Sequence, residues 1–149
     1  MHIKIALRTF IMGLIGLLIG CASPTLLRPE IHDRLIGCWY GEEYQPVLQR
    51  RAGWLMNRKL NGTFTIEFRT LERGHQLPNQ TEEGYWAYRD GKYITKTTKV
   101  AGEAIDTADP QYSDEYDIQS LSENEMTYYH SGVKQTFKSK RVSCDYKAY

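Results

Sequence analysis

The amino-acid sequence predicts an all-β fold: an antiparallel up-and-down barrel of about eight strands, with no long C-terminal helix. Three observations predict it. Short turn signals punctuate the chain, with Asn61-Gly62, Asp90-Gly91 and Ser122-Glu123-Asn124-Glu125 each separating two strand-like runs. Within those runs apolar residues alternate with polar ones, as Phe64, Ile66 and Phe68 do with Thr65, Glu67 and Arg69, the period of a half-buried strand. Finally, Cys38 and Cys144 stand near the two ends of the domain. A bridge between them makes the first and last strands neighbours and closes the sheet.

The first twenty-one residues assign the compartment. Lys4 and Arg8 precede an apolar run from Phe10 to Ile19, and the segment ends Leu18-Ile19-Gly20-Cys21. That is the layout of a secretory signal peptide ending in the lipobox of a bacterial lipoprotein. The run falls short of the roughly 20 residues needed to span a bilayer, which favours a cleaved signal over an anchor helix. Residues 1–20 are then the signal, and Cys21 becomes the first mature residue, acylated with palmitate-type chains. Ala22 rather than Asp follows it, which points to the outer membrane and a periplasm-facing domain. Residues 21–34 read as a lipidated tether, since Pro24 and Pro29 bar a long helix; Glu30 to Arg34 has room for one short turn. The domain proper is residues 35–149.

Loss of Lys4 and Arg8 with the signal lowers the basic count from 19 to 17, against 18 acidic residues. A net charge near −1 offers no electrostatic footprint for nucleic acid. Eleven Tyr and three Trp among scattered apolar residues indicate a folded, strand-rich chain rather than a disordered one.

The strands follow in order. Leu35 to Tyr44 is the first, and Gln45 to Ala52, with a proline and two arginines, reads as a loop. Trp54 to Leu60 and Thr63 to Thr70 form a hairpin about Asn61-Gly62. Leu71 to Glu83 carries Gly74, Pro78 and charges and reads as a loop. Gly84 to Arg89 and Lys92 to Val100 flank Asp90-Gly91, and Ala101 to Ser113 is an acidic connection. Glu115 to Leu121 and Met126 to His130 make the third hairpin, and Val133 to Cys144 is the last strand.

With Cys21 given to lipid, Cys38 and Cys144 remain. In an oxidising compartment an isolated pair reads most simply as a disulfide; two free buried thiols is the other reading. The enclosed loop of 106 residues corresponds to about 4–5 kcal/mol in the chain-entropy model.

Gly37-Cys38-Trp39 in the first strand and Arg141 in the last resemble the lipocalin superfamily and its small bacterial lipocalin-like relatives. The family's signature is Gly-x-Trp, and a last-strand arginine covers the tryptophan ring at the closed end of the barrel. The resemblance implies that Trp39 and Arg141 stack as a barrel-end plug. Parity agrees with this: with Trp39 and Arg141 inward, both cysteines face outward. The chain departs from the family in two places. The middle signature is only echoed by Ser113-Asp114-Glu115-Tyr116, and five residues after Cys144 leave no length for a C-terminal helix.

No catalytic constellation emerges, and the sequence predicts no enzyme, no cofactor and no metal. His32, His75 and His130 have no partner at metal-ligand spacing, and no nucleophile elbow or phosphate loop is present. The acidic connection from Glu103 to Glu115 lacks the spacing of a calcium loop. Arg50-Arg51 and Arg58-Lys59 read as surface pairs. Aromatic strand faces are the remaining lead. Trp54, Phe64, Phe68, Trp86, Tyr88 and Tyr128 are expected to face a ligand, because inward side chains of a small barrel either fill it or line a cavity. The expected function is therefore a membrane-anchored lipoprotein that binds or carries a small apolar ligand. The alternative is an envelope protein-interaction module or an inhibitor of a secreted hydrolase, acting through the 71–83 or 101–113 connection.

Overall fold

Residues 31–147 are described by the computed structural model; the expected signal, Cys21 and the expected tether through residue 30 lie outside the described residues. One short helix, α1 (Ile31–Leu35), precedes ten strands. These are β1 (Gly37–Gln45), β2 (Arg50–Arg58), β3 (Thr63–Glu72), β4 (His75–Gln76), β5 (Gln80–Arg89), β6 (Lys92–Val100), β7 (Glu103–Ala104), β8 (Ser113–Leu121), β9 (Glu125–His130) and β10 (Gln135–Arg141). The two-residue strands β4 and β7 are appendages of β3 and β6. The other eight make a closed antiparallel ring. Each pairs with the next along the chain, and β10 returns to β1.

Local chemistry sets the hairpins. At Asp90-Gly91 both residues hold positive φ, 53° and 77°, which suits the twist of the flanking strands. Asn61 accepts from the Thr63 amide at 3.1 Å. Ser122 accepts from the Glu125 amide at 2.9 Å, and its own amide donates to the Glu125 carbonyl at 2.8 Å. Alternation then sorts each strand into two faces. Trp39, Met56, Phe64, Ile66, Trp86, Tyr93, Met126 and Tyr128 form the buried interior.

Helix α1 lies across the end where β1 begins and β8 ends. Leu35 is fully buried there, His32 stacks on Trp86 with ring centroids 4.8 Å apart, and Arg34 donates to the Leu121 carbonyl. Residues 31–34 are thus part of the folded body rather than free tether. Leu35 ends the helix instead of opening the first strand. Gly37, at φ 104°, turns the chain from helix into β1, a conformation that glycine adopts without strain.

Other boundaries also differ from the sequence expectation, and β2 ends at Arg58 rather than Leu60. Only Pro46–Leu48 turns between β1 and β2, because Arg50, Arg51 and Ala52 pair with both β1 and β3. The 71–83 connection is largely strand: β3 runs to Glu72 and β5 starts at Gln80. Backbone pairing carries these polar residues, so no apolar alternation marks them. In the acidic connection, Pro110–Tyr112 is a 3-10 turn, with Asp109 accepting from the Gln111 amide at 3.0 Å, and β8 already begins at Ser113. The last strand is shorter than expected and ends at Arg141. From there the tail crosses the outer face. The Val142 amide donates to the Cys38 carbonyl at 2.9 Å, and Cys144 is disulfide-bonded to Cys38 with their Cα atoms 5.1 Å apart. Val142 and Tyr146 cover a second, external cluster of Cys38, Tyr40 and Leu55.

Candidate functional site

The capped end of the barrel is plugged by Trp39 and Arg141. The two are directly opposed in the β1–β10 register, and the guanidinium carbon sits 4.4 Å from the Trp39 ring. Arg141 donates to three carbonyls: Glu123 at 2.7 Å, Ile36 at 2.7 Å and Arg34 at 2.6 Å. Trp39 donates from Nε1 to the Leu35 carbonyl at 3.0 Å. Burial, then the neighbouring Arg58 and Arg34 charges, push the Arg141 guanidinium below its ordinary value. Cys38 falls on the opposite face of β1 from Trp39, as parity requires, and the tail after Arg141 carries Cys144 to it.

Above the plug the interior is not filled. A cavity of about 150 Å³ is lined by side chains from six of the eight long strands. Trp54, Phe68 and Phe137 form part of its wall, and Tyr93, Tyr116 and Tyr128 another. The rings brace one another. Tyr93 stacks on Tyr116 at 5.3 Å, Tyr116 meets Tyr128 edge-on at 5.3 Å, and Trp54 meets Phe137 edge-on at 5.6 Å. Trp54 Nε1 donates to the Tyr128 hydroxyl at 3.1 Å, which also lies 3.3 Å from Ser139 Oγ. Gly41 makes this possible: a Cβ there would lie 2.2 Å from the Trp54 ring. Burial pushes the phenols of Tyr93, Tyr116 and Tyr128 upward, away from ionisation.

One lining residue is a cation. Arg58 is 2% exposed, and its guanidinium carbon lies 4.4 Å from the centroid of the Tyr93 ring. Its Nε and Nη1 are buried without an acceptor, and the Tyr93 hydroxyl, close enough to that guanidinium to feel its charge, makes no hydrogen bond of normal geometry. The reading of Arg58-Lys59 as a surface pair is therefore wrong for Arg58. Alternation splits the pair, and Arg58 shares the inner face with Trp54 and Met56 while Lys59 lies outside. That parity was the signal available in the sequence.

Of the six aromatics expected to face a ligand, Trp54, Phe68 and Tyr128 line the cavity. Phe64 is buried in the core without reaching it. Trp86 is held at the capped end by His32 and by donation from Nε1 to the Lys59 carbonyl at 3.0 Å. Tyr88 packs against the core from its edge. These three face inward as alternation requires without lining the cavity, although Phe64 and Tyr88 stand opposite the lining residues Arg58 and Tyr93 in the register. Arg58, Tyr93 and Tyr116 take their place in the lining.

Other features are plainer. A surface hollow of about 380 Å³ runs over the outer face where Tyr40, Glu42, Lys138 and Lys140 meet; its rim is charged and it holds no converging unsatisfied group. His130 Nε2 lies 2.8 Å from Asp114. Among the described residues no three His, Cys, Asp or Glu side chains gather as a metal site, and no helix is long and apolar enough to cross a membrane. No protein-family model matches the chain, and no curated protein matches it.

Proposed function

We propose that this is a bacterial lipoprotein, held through Cys21 at a membrane facing the periplasm, most consistently the outer one, and that its barrel binds or carries a small apolar ligand. The cavity of about 150 Å³ walled by Trp54, Phe68, Phe137 and the three tyrosines carries this reading. Its size narrows the ligand. Cavities of about 150 Å³ take a benzene-sized guest, whereas drug-sized ligands need about 300 Å³ or more. The fitting ligand is a single ring or a short branched chain, not a whole long-chain lipid.

Thermal unfolding and tryptophan fluorescence of the mature protein, with and without single-ring compounds, test the reading. A ligand that binds only the folded state raises the melting temperature. Ile66→Phe, which fills the cavity from β3, is expected to abolish the shift. If no ring-sized compound, neutral or charged, shifts the wild-type melting temperature or its fluorescence, the reading fails. The anchor has its own test: labelled palmitate is expected in the wild-type chain and not in Cys21→Ser.

A protein-interaction role has less support. The 71–83 segment is mostly built into β3, β4 and β5 rather than free to enter an active site. Pull-down from envelope extract with 101–113 replaced by Gly-Ser is its direct check.

A further inference from the structure

We infer that the ligand is a small organic anion, a ring-sized carboxylate whose charge is held by Arg58 and Tyr93 while its apolar body lies against Trp54, Phe68 and Phe137. This rests on the cavity being a ligand site, as proposed above.

Buried polar groups in folded proteins are almost always hydrogen-bonded, and each exception asks for an explanation. Here three exceptions converge. Arg58 Nε, Arg58 Nη1 and the Tyr93 hydroxyl are buried, unpartnered and part of one short wall. All three are donors in the states that prevail at neutral pH. Arginine carries its charge throughout, and burial keeps the Tyr93 phenol protonated. A cluster of donors with one positive charge is complementary to an anion and repels a cation.

The protein does not supply that anion itself. Among the described residues Arg58 makes no ion pair. The Asp114 carboxylate is near enough to raise the Tyr93 and Tyr116 phenols, but it is bonded to His130 at 2.8 Å. Cation–π contact with Tyr93 supports the guanidinium's flat face and leaves Nε and Nη1 without an acceptor. A water or inorganic ion would answer the donors but not the apolar remainder. Met56, Ile66 and Phe137 line the same cavity, and an apolar void of this size binds a ring. One molecule with a carboxylate at one end and a ring at the other satisfies both parts.

Benzoate and toluene, nearly equal in size, separate the charge from the ring. Calorimetry and thermal shift on the mature wild-type protein are expected to give benzoate binding at least about tenfold tighter than toluene, the scale of a charge-assisted hydrogen bond. Arg58→Met keeps the volume and removes the charge. It is expected to bind benzoate roughly 10- to 100-fold more weakly and toluene as well as the wild type does. Should Arg58→Met not fold by circular dichroism, Tyr93→Phe, which deletes only the hydroxyl, is expected to lose about tenfold in benzoate affinity. Equal binding of toluene and benzoate, or benzoate binding unchanged in Arg58→Met or in Tyr93→Phe, overturns the anion inference and leaves the small-ligand reading standing. Failure of both probes overturns the two together.

Discussion

At the scale of single residues, two positions decide whether the interior keeps its shape. Arg141 spans three backbone carbonyls from two segments and covers Trp39 at once. Only a planar fork reaches all of these; an ammonium is a point charge on a flexible stem. Arg141→Lys is therefore expected to lower stability by about 2–4 kcal/mol, from lost charge-assisted hydrogen bonds, read as a drop in the urea midpoint at unchanged slope. A variant as stable as wild type would show that the plug is decorative. Gly41 is the second position. Its missing Cβ admits the Trp54 ring on one side and the Lys138 carbonyl, 2.6 Å from the built atom, on the other. Gly41→Ala must move one of them. The ring is the freer, so Trp54 leaves the cavity wall and its bond to Tyr128. The expected cost is about 1–3 kcal/mol, the range for overpacking, with a red shift in tryptophan emission. An unshifted spectrum would place the strain elsewhere.

At the scale of elements, closure depends on a short seam. β2 and β3 are paired over nine positions, but β1 and β10 over only three, from Trp39↔Arg141 to Gly41↔Ser139. The Cys38–Cys144 bridge lies just beyond that seam and holds it from outside. Paired Cys38→Ser and Cys144→Ser substitution is expected to cost up to about 4–5 kcal/mol in the chain-entropy model. Hydrogen exchange is expected to report the loss first at β1 and β10, and last at β2 and β3. Uniform acceleration across all strands would mean that the bridge acts on the unfolded chain alone. Much of this level was legible in the sequence. Asn61-Gly62, Asp90-Gly91 and the Ser122 turn announce hairpins because their geometry is local, and the Cys38 and Cys144 pair announces closure because covalent bonds are few. The rim was not legible. Gln80, Thr81 and Glu83 form strand through backbone pairing to β3 with polar side chains on view, so nothing in their pattern separates them from a loop. The site was half legible for a related reason. Alternation says that Phe64, Trp86 and Tyr88 point inward but not whether they line the cavity, and that depends on how neighbouring strands place their side chains around it. Arg58 was hidden by its neighbour: a basic pair reads as surface unless it is split between the two faces of a strand.

At the scale of the whole molecule, the barrel holds three phenols in its centre, and they tie stability to pH at the alkaline end. Burial is the main cause that raises Tyr93, Tyr116 and Tyr128 above the ordinary tyrosine value. In the fold these groups stay protonated; in the unfolded chain they ionise near pH 10. Above that pH the unfolded state binds fewer protons than the native state, so stability falls as pH rises. Below it both states hold the protons and the three groups contribute no pH dependence. Each phenol held protonated in the fold adds to that loss, and the three act in the same direction. A small domain has only about 5–15 kcal/mol to lose. The barrel is thus expected to lose stability as pH rises above 10, and phenolate absorbance from these three rings is expected to rise in the same step as the loss of β-sheet circular dichroism. Smooth titration of all eleven tyrosines with the sheet signal intact would mean that water reaches the cavity freely. Tyr93→Phe removes one of the three groups and is expected to soften the alkaline slope. The stability profile and the cavity thus share one set of groups: the phenols that burial raises also line the space in which Arg58 sits.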